Sequence, residues 1–113
     1  MDKNYNKQMA EYILTILNAK PLFVMSWGLD PRTITIVDLG IKFHVQGFKH
    51  KGFVQVVLNE GADLFEVTLI SEDGKKLRTI DSVYLEDLVD VIDKAVEYTD
   101  DYEQRVAQEY GSQ

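Results

Sequence analysis

From Thr35 the odd positions Thr35, Val37, Leu39, Ile41, Phe43 and Val45 alternate with Asp38, Gly40, Lys42, His44 and Gln46, a period of two held over eleven residues. That period sends successive side chains to opposite faces of a strand, so it predicts one buried face and one wetted face. Gly40 in its middle marks a bulge or bend, or a break into two strands.

On either side the period changes. Met9, Tyr12, Ile13, Ile16 and Leu17 fall at helical spacing with Lys7, Glu11, Thr15 and Asn18 off the stripe, which predicts an amphipathic helix from about Asn4 to Asn18. Pro21 stops it, and the apolar run PLFVMSW, rich in β-formers, predicts a short buried strand ending near Trp27 and Gly28. Strand character resumes at Phe53 and again at Leu64, the two runs joined by the turn NEGAD. Asp73-Gly74 then predicts a two-residue hairpin to a partner strand around Lys76 to Ile80, which sets Ile70 opposite Leu77. Leu85, Leu88, Val89, Ile92 and Val96 restore helical spacing up to about Tyr98, with Ser82 as N-cap and Glu86 and Asp87 in the first turn. Asp100 and Glu103 have the spacing of a capping box for a further helical turn.

The expected fold is α+β. An antiparallel sheet of four or five strands made from hairpins is flanked by an N-terminal and a C-terminal helix, packed mainly on the face of Val37, Leu39, Ile41, Phe43, Val45, Val67 and Leu69. Residues 1–98 form one domain in this reading, and 99–113 a helical or flexible tail.

Composition narrows the function. A chain of 113 residues, 45% hydrophobic and 27% charged, can bury a core without help from metals or disulfides. It has no cysteine, which removes thiolate nucleophiles and every sulfur-bound metal site. The first residues lack the basic start and apolar run of a signal peptide, and no apolar stretch approaches ~20 residues. A cytoplasmic location without membrane contact is therefore expected.

The net charge of −7 argues against nucleic acid as a general partner. The charge is unevenly spread: no acidic residue lies between Leu39 and Asn59, where Lys42, Lys49, Lys51, His44 and His50 fall, while nine acids against Lys94 alone lie between Asp81 and Glu103. Within the basic stretch, GFKHKGF (47–53) places glycines around a polar tip between two strand-like runs, which is what a hairpin connection needs. The rival reading is a weak nucleic-acid or anionic-ligand site, with Lys42, His44, Phe48, Lys49, His50 and Lys51 supplying charge and a stacking ring. The turn is preferred, because the basic footprint is small and neither the spacing nor the following helix of a phosphate-binding loop is present.

No catalytic residue, cofactor or metal ligand set is nominated. His44 belongs to the wetted face and His50 to the loop tip, each without converging donors, and Ser26, Ser71, Ser82 and Ser112 lie in no nucleophile elbow. The chain is expected not to be an enzyme.

Two features point to association instead. Val57, Ile70 and Leu77 form an apolar patch on the nominally wetted side of the sheet, which a helix of the chain or a second subunit must cover. Tyr98, Tyr102, Val106 and Tyr110 recur every four residues in the tail, a stripe that more often docks on its own domain or frays, although helix-in-groove recognition uses the same spacing. A protein-interaction or accessory module is expected, partnered by a second copy or another protein.

The succession ILTIL, FVM, GIKF, VVLNEGADLFEV and VYLEDLVDVI resembles a group of small, uncharacterised proteins of bacteria, phages and other mobile elements. Their pattern of a helix ending in Leu, Phe-x-x-Met, Gly-x-x-Phe and Leu-Asn leading to Asp-Leu-Tyr-Asp-Val corresponds here to Leu17, Phe23 and Met25 at closer spacing, Gly40 and Phe43, Leu58 and Asn59, and Asp63 to Val67. It spans roughly residues 11–98 on mostly apolar positions. The group often has Thr-Gly-Ala-Lys where this chain has Ser26-Trp27-Gly28-Leu29, so no role of that lysine transfers. The resemblance implies a small accessory protein and supplies no catalytic residue.

Overall fold

A computed structural model describes residues 3–97. The chain runs α1 (Lys3–Asn18), α2 (Pro21–Ser26), β1 (Asp30–Val37), β2 (Gly40–Gln46), β3 (Lys51–Asn59), β4 (Leu64–Ile70), β5 (Lys76–Val83), a 3₁₀ turn (Leu85–Asp87) and α3 (Leu88–Val96). The five strands make one antiparallel sheet in chain order, so every connection is a hairpin. The fold is α+β with an N-terminal and a C-terminal helix, as its periodicities require. The tail stripe Tyr98, Tyr102, Val106 and Tyr110 and the capping box at Asp100 lie outside the described residues.

One face of the sheet carries the core. Ile41, Phe43 and Val45 of β2 stand in register with Val56, Val54 and Gly52 of β3, and beyond them lie Val67 and Leu69 of β4. Against these pack Ala10, Ile13 and Leu17 of α1 and Leu88, Ile92 and Val96 of α3. Ala10, Ile13 and Leu17 form the buried centre of the α1 stripe, with Met9, Leu14 and Ile16 beside them. Tyr12, expected in the stripe, is 47% exposed.

Four expectations are corrected. The run expected as a buried strand is α2: Pro21 at its start fixes φ for a helix, Phe23, Val24 and Trp27 turn inward, and Leu22 and Met25 turn out. An apolar run this short satisfies both periods, and helical spacing wins because it buries Trp27 completely.

Secondly, of the readings that Gly40 allows the break into two strands holds, and it takes Val37 and Leu39 off the expected core face. The chain turns at Asp38-Leu39, with Leu39 at φ 60°, so that Val37 pairs Gly40 and Ile36 pairs Ile41. Across such a turn odd positions face even ones. Val37 therefore leaves the core face, Leu39 becomes a turn residue, and Ile36 stands on the core side of an edge strand. Asn6 of α1 holds the turn: its Oδ1 accepts from Leu39 N at 2.9 Å, and its Nδ2 donates to Asp38 at 3.1 Å.

Thirdly, the β4–β5 loop has three residues, Glu72 to Gly74, rather than two. Gly74 N donates to Ser71 O at 3.0 Å and Ser71 N to Lys75 O at 2.8 Å, with Gly74 at φ 92° in the left-handed position that glycine alone fills cheaply. Ile70 consequently faces Lys76, not Leu77, and an irregularity at Leu77 restores the expected register from Leu69 and Arg78 onward. Fourthly, Ser82 is no helix cap. It sits in β5 at φ 57°, and neither the 3₁₀ turn nor α3 has a side-chain N-cap.

Candidate functional site

Among the described residues both long helices lie on the core face, which leaves the opposite face of the sheet open. Strand register orders that face into rows running across the strands. Asp30, His44, Phe53, Ile70 and Lys76 form one row; Thr35, Lys42, Gln55, Thr68 and Thr79 form the next; Val37, Gly40, Val57 and Glu66 form a third.

Phe53 is the centre of the first row. The His44 ring meets it edge-on at 5.1 Å, and the Lys42 ammonium lies 5.3 Å from its centroid. His44 Nε2 in turn donates to Glu72 Oε1 at 2.6 Å, so the β4–β5 loop is clamped over the same row. In the same row Ile70 is only 7% exposed although it is not part of the helix-packed core cluster. Thr68, equally buried, shares its hydroxyl with Thr79 at 3.1 Å. Of the expected apolar patch, then, Ile70 is buried, Val57 is half-buried on the open face, and Leu77 is 60% exposed on the edge strand.

The six residues of the candidate anionic site divide. Lys42 and His44 converge on Phe53, and Lys51, opposite Gln46, is exposed at the same end of the sheet. Phe48, Lys49 and His50 instead belong to the end of α3. Lys49 N and His50 N donate to Val96 O at 2.8 and 3.3 Å, Phe48 N donates to Glu97 Oε2 at 2.6 Å, and the Lys49 ammonium reaches Lys94 O. The last carbonyls of a helix have no partners within it, and a cation there also meets the negative end of the helix dipole. The loop is a cap supplied from far away in sequence. His50, expected at a solvated tip, is buried, and its Nε2 donates to Phe53 O at 3.1 Å.

Trp27 makes the other junction. Its Nε1 donates to Asp93 Oδ1 of α3 at 3.0 Å, and its carbonyl accepts from Gln46 N at 2.8 Å at the end of β2. Sequence reasoning missed Asp93, which it counted only among the nine acids between Asp81 and Glu103. The available signal was its position one residue beyond Ile92 and three before Val96, both of which point inward.

Charge is polarised along the strands. At the end bearing Gln46 and Lys51 stand Lys51, Lys75 and Lys76, with Glu72 engaged by His44, Asp73 by Ser71 and Asp30 by Arg32. Hydrogen bonds from the Arg32 side chain and backbone hold the Asp30 carboxyl below its ordinary range, so that pair stays ionised and neutral as a unit. The other end is acidic throughout: Asp38 in one turn, Glu60 and Asp63 in the next, and Glu66 opposite the Asp81-Ser82 irregularity of β5.

No group of three or more metal-ligating side chains converges among the described residues. Prolonged EDTA treatment is expected to leave the thermal midpoint unchanged, since a bound metal would add linkage stabilisation that chelation withdraws. A fall of several degrees in a differential-scanning trace would reveal a metal. No helix among the described residues is long and apolar enough to cross a membrane. Comparison with known proteins finds no matching family model, curated protein or solved structure.

Proposed function

We propose that this chain is a non-enzymatic interaction module that self-associates through the open face of its sheet. The observation that carries the reading is that, among the described residues, helices cover one side of the sheet only, while the other side displays Phe53, Gln55 and Val57. One-sided sheets normally alternate apolar-in with polar-out, so apolar groups on the outer side are the kind of surface a partner covers. The engaged state of the histidines supports the non-enzymatic half: His44 is held by Glu72 and Phe53, and His50 by a main-chain carbonyl. A role as an accessory protein of mobile elements belongs to the same proposal, on the strength of the sequence pattern alone.

Gln55 sits on the central strand in the middle row of that face, half-buried between Lys42 and Thr68. Gln55→Arg puts a taller, charged side chain there without touching the core. Wild-type protein is expected to behave as a dimer at tens of micromolar by light scattering on a sizing column. The variant is expected to be a folded monomer, its association weakened about 100-fold or more by the uncompensated buried charge. A wild-type monomer at high micromolar concentration, or a variant that associates like wild type, would overturn the reading.

A further inference from the structure

Resting on that reading, we infer that the partner is a second copy laid face to face with its strands antiparallel, so that the basic end of each open face covers the acidic end of the other. The argument is one of symmetry. A two-fold axis parallel to the strands would lay the end with Lys51 and Lys76 on the same end of the partner, and the end with Glu66 and Asp81 likewise. An axis lying between the two sheets and running across the strands exchanges the ends, so Lys51 and Lys76 meet the partner's acidic end. Only the second arrangement is electrostatically self-complementary, and an interface shared by two identical chains must match itself.

The rows place the axis. If it runs between the Gln55 row and the Val57 row, Lys42 and Gln55 of one copy lie over Gly40 and Val57 of the other. Gly40 presents no side chain, which leaves room for the long Lys42 stem. At the extremes, Lys51, which is exposed, comes over the partner's acidic turn with Glu60 and Asp63, and Lys76, also exposed, lies one row from the partner's Glu66 and Asp81. Aligned sheet packing tolerates this geometry, since two face-to-face sheets keep their strand axes within about 30°.

The test uses two charge-reversed forms of the full chain. Lys51→Glu with Lys76→Glu makes both ends of the face acidic; Glu66→Lys with Asp81→Lys makes both ends basic. Each is expected to be monomeric at concentrations where wild type is dimeric, and an equimolar mixture is expected to restore a one-to-one heterodimer, resolved from either homodimer by native mass spectrometry. Circular dichroism checks that each variant is folded. Wild type gives an independent reading if one is not: its dissociation constant should rise about tenfold between 50 and 500 mM salt, because screening removes the attraction between the exposed ends. If both reversed variants still form homodimers, or salt leaves the wild-type constant unchanged or lowers it, the antiparallel arrangement is wrong. If Gln55→Arg dissociates the protein in that same case, association through the face survives and only its geometry falls. A wild-type monomer defeats both, and a monomer that Gln55→Arg destabilises points to residues 98–113 of the same chain as the cover.

Discussion

Trp27→Ala is expected to cost about 3–5 kcal/mol and to lower the thermal midpoint by roughly 20 °C, the largest single-side-chain effect in the protein. Trp27 is the bulkiest of the fully buried side chains and belongs to the single cluster that joins the helices to the sheet. Its removal leaves a cavity where the end of α2, the end of β2 and the last turn of α3 meet, and that site cannot collapse without moving all three. It also leaves Asp93 without the indole donor. The two contributions separate in a double-mutant cycle of Trp27→Phe and Asp93→Ala, each of which removes the hydrogen bond, read by urea denaturation followed by circular dichroism. A coupling of about 1 kcal/mol is expected from the hydrogen bond. Additivity of the two single changes would show that Trp27 acts through packing alone.

The elements with undivided periodicity were legible in the sequence. Ile41 to Val45, Val54 to Val56 and Val67 to Leu69 alternate over strands whose one face is fully buried, and a one-residue slip would expel the whole set, so pattern and register agree. The expectations that failed did so at turns. Asp38-Leu39 carries no glycine at its left-handed position, and the unbroken alternation through it leaves the break at Gly40 as one reading among several, since the hydrogen bonds that hold the reversal come from Asn6, thirty-odd residues distant. Asp73-Gly74 is the strongest short hairpin signal in the chain, yet Ser71 provides an extra acceptor for Lys75 N at 3.0 Å, and the loop takes one more residue.

The open face was half legible. Alternation placed Lys42 and His44 on it, and the patch of Val57 and Ile70 was visible as apolar residues at outward positions. The convergence of Lys42, His44 and Ile70 on Phe53 was not, because it depends on the register of three strands at once. Nor was the polarity of charge along the strands, which arises from separate turns and becomes a pattern only when the meander lays their ends side by side. The loop from Gly47 to Phe53 had the sharpest local signature and the least recoverable role, since its partners, Lys94, Val96 and Glu97, lie more than forty residues away.

Gly47→Ala tests that role and is expected to cost about 2–3 kcal/mol, far more than a solvent-facing turn would register. A methyl group at Gly47 would fall 2.3 Å from Val96 Cγ1 and 2.4 Å from Val96 O. The side-chain contact can rotate away, but the carbonyl cannot, because it is the acceptor shared by Lys49 N and His50 N. Relief requires the β2–β3 loop and the end of α3 to part, which exposes helix carbonyls and loop amides together. Lys49→Met, which keeps the stem and removes only the ammonium, should by contrast cost no more than about 0.3–1 kcal/mol, the usual worth of a cation at a helix C-terminus. Amide exchange supplies the local readout: in Gly47→Ala, protection at Lys49 and His50 should fall towards that of an open loop while Val54 and Val56 in the sheet centre follow only the global loss of stability. If Gly47→Ala lies within about 0.5 kcal/mol of wild type, as surface changes away from such contacts do, the loop is a turn and nothing more.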